Sequence, residues 1–206
     1  MLLSSVLALL VSAQADSAPV VLILGDSLSA AYGIAVTDGW VALLERKLAQ
    51  EGYPHRVVNA SISGETTGGG RRRLGDLLVA HQPRMVILEL GANDGLRGIP
   101  LLEIERNFKA IRQMLVEKDI ITIVLRMVLP PNYGSDYTRG FNAIFDGLSD
   151  EGAASFVSPF FLENVALNPE LLQTDGLHPT AAAQPRMLKA VWPTIATGLD
   201  VAEPTR

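Results

Sequence analysis

Val20-Val21-Leu22-Ile23-Leu24-Gly25-Asp26-Ser27-Leu28-Ser29 is the stretch on which the fold turns. Its first five residues are all apolar and leave no polar face. That is the pattern of a strand covered on both sides, not of an antiparallel strand with one wet face. Gly25 ends the run, and the polar segment after it reads as the loop leaving the carboxyl end of the strand. A strand buried on both faces needs helices above and below it, reached by crossover connections.

The rest of the chain repeats this unit. From Trp40 to Gln50, apolar residues at 40, 41, 43, 44 and 48 have helical spacing, and Gly52 is a natural stop. Arg56–Ala60 reads as a second strand, followed by the polar, glycine-rich loop Ser61–Gly70 and a helix over Arg71–His81. Met85–Leu90 is the third strand. Leu101–Lys118, with apolar residues at 101, 104, 108, 111, 114 and 115, is an amphipathic helix. Ile120–Val128 is the fourth strand, Pro130–Gly134 a loop, Thr138–Glu151 a helix and Ala154–Val157 a short fifth strand. Ser158–Pro179 is irregular, and Thr180–Leu199 is a last helix, open to bending or division at Pro185 and Pro193. Strands alternating with helices predict an α/β fold, a five-stranded parallel sheet with helices on both faces.

Composition narrows the function. The 206 residues hold 17 Lys plus Arg against 22 Asp plus Glu, a net charge of −5. Nucleic-acid binding and adhesion to an anionic membrane both call for the opposite sign. With no cysteine in the chain, disulfide frameworks, thiolate nucleophiles and cysteine-held metal clusters are excluded. No H-E-x-x-H and no carboxylate series of metal spacing occurs, so neither metal nor cofactor is expected. Gly68-Gly69-Gly70-Arg71-Arg72-Arg73 lacks the G-K-[ST] ending of a phosphate loop, and its arginines read as a solvated face.

Leu2–Val11 is an apolar stretch followed by Ser12-Ala13-Gln14-Ala15, although no Lys or Arg precedes it. It reads as a secretory signal cleaved after Ala15, too short to span a bilayer, and predicts export to the periplasm or medium; the alternative is a buried first helix. The expected organisation is a signal segment over 1–15 and a single domain over 16–206, with 200–206 a frayed tail.

In an open parallel sheet, ligands bind outside the carboxyl ends of the strands. Four loops meet that edge: Gly25–Ser29, Ser61–Thr66, Gly91-Ala92-Asn93-Asp94-Gly95, and Asp175-Gly176-Leu177-His178-Pro179. Asp175, three residues before His178, is placed to fold back onto the imidazole Nδ1. That contact would fix the tautomer and leave Nε2 as a base. The plainer alternative is a helix-capping Asp beside a surface His. Of the other histidines, His55 lies in a turn and His81 at a helix end, and both read as surface residues. Ser27 directly follows a buried strand, where its hydroxyl and backbone N–H face one spot, although Ser27 and Ser29 could equally stabilise a turn. Gly64 permits close approach to a backbone N–H, and the Asn93 amide is a neutral donor. Together they supply what a developing oxyanion needs. Taken singly, each is equally an ordinary loop glycine and an Asx turn.

In chain order, Gly25-Asp26-Ser27-Leu28-Ser29, Gly64, Gly91-Ala92-Asn93-Asp94 and Asp175-Gly176-Leu177-His178-Pro179 resemble the four blocks of the SGNH (GDSL) hydrolase family. Asn93-Asp94-Gly95-Leu96-Arg97-Gly98 and Leu129-Pro130-Pro131-Asn132-Tyr133-Gly134 look like its secreted bacterial thioesterase, lysophospholipase and arylesterase group. The resemblance implies a flavodoxin-like three-layer α/β/α fold with strand order 2-1-3-4-5. It implies Ser27 as nucleophile, His178 as base and Asp175 as its orienter. The implied oxyanion hole is the backbone N–H groups of Ser27 and Gly64 plus the Asn93 side chain.

Asp26, Leu28, Asp94, Leu96, Pro131 and Tyr133, from the same blocks, are the expected substrate contacts. Leu96–Leu101, Pro130–Tyr137 and Phe160–Leu172 extend from the same edge and are expected to shape the cleft. The expected partner is a small acyl ester, thioester or lysophospholipid, acted on by a monomer without cofactor, nucleic acid or stable membrane anchor. Two alternatives on the same fold are a carbohydrate acetylesterase and a non-catalytic ligand-binding module, the latter being indifferent to loss of the Ser27 hydroxyl.

Overall fold

The computed structural model describes residues 18–149 and 155–202. The proposed signal segment 1–15 lies outside them. Five parallel strands, β1 (Val20–Gly25), β2 (Arg56–Asn59), β3 (Met85–Glu89), β4 (Ile121–Arg126) and β5 (Ser155–Phe160), form one sheet in the order 2-1-3-4-5. This is the order that the resemblance implied. β1 and β3 are buried along their whole length, as unbroken apolar runs predict.

Helices α1 (Trp40–Gln50) and α6 (Gln184–Ala202) pack against each other on one side of the sheet. On the other, α2 (Thr67–His81), α4 (Leu101–Val116) and α5 (Ser135–Ser149) pack in series. A one-turn helix, α3 (Ala92–Leu96), lies between β3 and α4. Each fully buried Leu or Ile of the sheet contributes roughly 1.5–3 kcal/mol over its exposed state, and Leu22, Ile23, Leu24, Ile87 and Ile123 are all wholly enclosed. The edge strand β5 tolerates Pro159, and its pairing with β4 is irregular near Arg126. There the Ser158 hydroxyl accepts the Arg126 N–H at 3.2 Å.

Several boundaries differ from the sequence expectation. α2 begins at Thr67, inside the stretch read as a glycine-rich loop, because the Thr66 side chain caps it by accepting the Gly69 N–H at 3.1 Å. α6 is divided at neither proline. Pro185 sits in its first turn, where a missing N–H costs nothing, and the helix runs on past Pro193. It also continues through Ala202, into the stretch read as frayed, and Asp200 there accepts a hydrogen bond from Tyr53 Oη at 2.9 Å. His55 is buried, not superficial, and packs beside the Tyr53 ring, which itself stands against Trp192. No helix among the described residues is long and apolar enough to cross a membrane.

Candidate active site

β1 ends at Gly25, and the chain turns back on itself over the sheet edge. The Asp26 carbonyl accepts the Ala30 N–H at 2.9 Å, and the Ser27 carbonyl accepts the Tyr32 N–H at 3.1 Å. Asp26 Oδ1 accepts the Leu28 N–H at 3.0 Å, closing a local turn around Ser27. Ser27 therefore stands on a hydrogen-bonded turn.

The loop carrying Asp175 and His178 is folded as tightly. Asp175 Oδ1 accepts the N–H groups of both Leu177 and His178, each at 2.9 Å. Its Oδ2 lies 2.6 Å from His178 Nδ1. The hydrogen bond from the His178 N–H, followed by that from its ring and that from Leu177, lowers the Asp175 carboxyl to about 2. An ionised carboxylate only accepts, so the ring proton lies on Nδ1 and Nε2 is left as an acceptor. Nε2 faces the Ser27 hydroxyl at 2.9 Å. Two residues that sequence reasoning passed over hold this loop to the Ser27 turn. Gln173 Nε2 donates to the carbonyls of Tyr32 at 2.8 Å and Pro179 at 3.0 Å. The Tyr32 ring lies against the imidazole with centroids 4.5 Å apart. Neither belongs to a pattern recognisable in sequence, since each acts through its position across the cleft.

Asn93 is on the first turn of α3 and donates through Nδ2 to Asp26 Oδ2 at 2.8 Å. Gly64 adopts φ +79°, a left-handed conformation that side chains disfavour, and Arg97 Nη2 donates to its carbonyl at 3.0 Å. Asp26, Ser27, Gly64, Asn93 and His178 all line one cleft of about 840 Å³. Leu28, Leu96 and Pro131 also line it, and its walls come from the segments around Leu96, Pro130 and Phe160–Leu172. Met127, Val128, Leu129, Tyr32 and Leu177 complete the apolar wall beyond those segments.

Two expected substrate contacts are corrected. Asp94 is fully buried and turned away from the cleft, accepting hydrogen bonds from the Thr67 N–H at 2.9 Å and from the Thr67 hydroxyl. It joins α3 to the start of α2. Tyr133 does not line the cleft either; its hydroxyl donates to the Leu96 carbonyl at 3.0 Å and so braces the wall from behind. Asp26 does border the cleft, but both of its carboxylate oxygens already hold partners within the protein.

Residues 23–185 match the GDSL-like Lipase/Acylhydrolase family. The chain belongs to that family. The hydrolase is 45% identical to Esterase TesA of Pseudomonas aeruginosa over 195 residues, covering 95% of this chain and 96% of that protein. It is 43% identical over 176 residues to the Thioesterase 1/protease 1/lysophospholipase L1 of Escherichia coli K12, covering 85% of this chain and 83% of that one. Among solved structures, a crystal structure of TesA superposes with a TM-score of 0.83 at 44% identity, over 86% of the hydrolase and 98% of its own chain. The psychrotrophic esterase EstA of Pseudoalteromonas, inhibited by monoethylphosphonate, gives 0.83 at 40% identity, over 88% and 98%.

Proposed function

We propose that the protein is an exported serine esterase that cleaves carboxylic esters, acyl thioesters and lysophospholipids through a covalent acyl-enzyme. The observation that carries this reading is the 2.9 Å contact between His178 Nε2 and Ser27 Oγ, with Nδ1 held on the Asp175 carboxylate. His178 takes the Ser27 proton as Oγ bonds to the acyl carbon, and the carbonyl π pair moves onto the oxygen. The N–H groups of Ser27 and Gly64 and the second N–H of the Asn93 amide stabilise that oxyanion. The imidazolium then protonates the departing alkoxide or thiolate as its bond to the acyl carbon breaks. Water, deprotonated by the same imidazole, attacks the acyl-enzyme and releases the acid with Ser27 restored.

The mainly apolar cleft favours a hydrocarbon acyl chain over an acetylated sugar. Each methylene that it buries contributes about 0.8 kcal/mol, so a six-carbon acyl group should exceed an acetyl group in kcat/KM by on the order of 100-fold. Protein recovered from the exported fraction, beginning at Asp16, is to be assayed on p-nitrophenyl hexanoate and acetate, acyl-CoA, a lysophospholipid and an acetylated xylo-oligosaccharide. The proposal predicts turnover of the hexanoate well above the acetate, with thioester or lysophospholipid cleavage alongside. Selective deacetylation of the oligosaccharide would instead favour the carbohydrate acetylesterase, and no hydrolysis at all would overturn the reading.

Asn93→Ala isolates the oxyanion donor. It should lower kcat by about 100- to 1,000-fold with KM little changed, because the bond is made to charge that develops only in the transition state. A kcat within about threefold of wild type would remove Asn93 from that role.

A further inference from the structure

Gly25, Asp26 and Ser29 flank the proposed nucleophile but take no part in the proton transfers above, yet all three close on one side chain from the neighbouring strand. Glu89 ends β3, directly opposite Gly25 in the sheet register, and is fully buried. Its Oε2 accepts the Asp26 N–H at 3.1 Å and the Ser29 hydroxyl at 2.8 Å. Ser29 Oγ in turn accepts Trp40 Nε1–H at 3.2 Å. A Cβ at Gly25 would stand 2.8 Å from both Glu89 Oε2 and Ser29 Oγ, so the glycine makes room for this carboxyl.

The other oxygen, Oε1, is buried and receives no N–H or O–H donor. The Asp26 carboxyl is buried beside it, next to the backbone N–H that Glu89 Oε2 accepts, and the two acids interact. Two carboxylates repel, so such a contact requires one proton between them. Asp26 already accepts from the Leu28 N–H on Oδ1 and from Asn93 Nδ2 on Oδ2, which identifies it as the anion. Glu89, with one oxygen that no donor reaches, is then the acid.

We propose that Glu89 is a positioning residue: a neutral carboxylic acid that donates to Asp26 and, through it, fixes the Asn93 amide for the oxyanion. One N–H of that amide is committed to Asp26, which sets the direction of the other. Burial, and next the negative charge of Asp26, push the Glu89 carboxyl well above the usual carboxylate range. Asp26 is the charged group that faces it, and Asp26 itself feels the His178 ring. The inference rests on the esterase reading, since it assigns a role within that oxyanion hole.

Glu89→Gln is the isostere of the neutral acid. Its carbonyl accepts from Asp26 N–H and Ser29, and its amide donates to the Asp26 carboxylate. It should fold and keep kcat and KM on p-nitrophenyl hexanoate within about threefold of wild type. Glu89→Asp keeps the acid but withdraws it by one methylene. It should lose roughly 10- to 100-fold in kcat at nearly constant KM, as expected when a transition-state donor is displaced. An infrared difference spectrum of wild type against Glu89→Gln at neutral pH should contain the carbonyl band of a protonated carboxyl. A Gln variant that fails to fold or loses kcat, a missing band, or a wild-type kcat in Glu89→Asp would each overturn the proposal. Should Glu89→Asp not fold, the Gln variant and the band decide it. The esterase reading fails separately, on absent turnover by the wild-type enzyme.

Discussion

Ser27→Ala should lower kcat/KM on p-nitrophenyl hexanoate by on the order of 10⁶-fold, the scale on which removing the nucleophile of a serine hydrolase acts. The fold should survive. The hydroxyl contacts His178 Nε2 across the cleft, while the turn beneath it is closed by backbone and Asp26 hydrogen bonds that the substitution leaves in place. The cleft walls are also untouched, so a non-hydrolysable acyl analogue should bind as before. Thermal unfolding within about 4 °C of wild type, the shift that about 1 kcal/mol produces in a domain of this size, would show that the loss is chemical. Activity retained within about tenfold would mean that the acyl group is never carried on Ser27.

The second large effect belongs to Asp175→Asn, for which we expect kcat to fall by about 10⁴-fold. The tautomer of His178 decides this effect. Asn can present an oxygen to the N–H groups of Leu177 and His178, as Asp175 Oδ1 does, so the loop keeps its shape. The Asn amide then faces His178 Nδ1 as a donor, moving the ring proton to Nε2. A protonated Nε2 cannot accept from the Ser27 hydroxyl. In the wild-type protein the Asp175 carboxyl sits at about 2, below the ordinary carboxylate value near 3.9. Its contribution to the loop is therefore complete above that ordinary value and lost as pH falls through about 2. Protonation of Asp175 consequently does not set the acid limb of the pH–rate profile measured between pH 4 and 8. A variant with near-normal kcat, or one whose acid limb alone moves, would contradict this role.

The sheet was legible because buried parallel strands are written as unbroken apolar runs, and Val20–Leu24 and Met85–Leu88 are such runs. The four loops at one sheet edge were legible for the same reason, since strand ends fix which loops meet. What escaped was whatever depends on the partner across space. α3 is too short to show a period, and α2 starts among glycines because a single threonine caps it. Asp94 looks like a ligand contact in sequence, and only packing reveals that it ties α3 to Thr67. His55 is polar and flanked by turn residues, yet it is enclosed beside Tyr53. Glu89 closes an apolar strand without any motif of its own, and its meaning lies in Gly25, Asp26 and Ser29 on the neighbouring segment.

In the proposed reaction the Ser27 oxygen, activated by His178, forms a covalent bond to the group being transferred. Treating the enzyme with an alkyl fluorophosphonate and locating the adduct by peptide mass spectrometry traps that bond. One phosphonyl group per chain is expected, on Ser27, formed by the wild type and by neither Ser27→Ala nor His178→Ala on the same timescale. An unlabelled, active wild-type enzyme, or an adduct at another residue that abolishes activity, would contradict it.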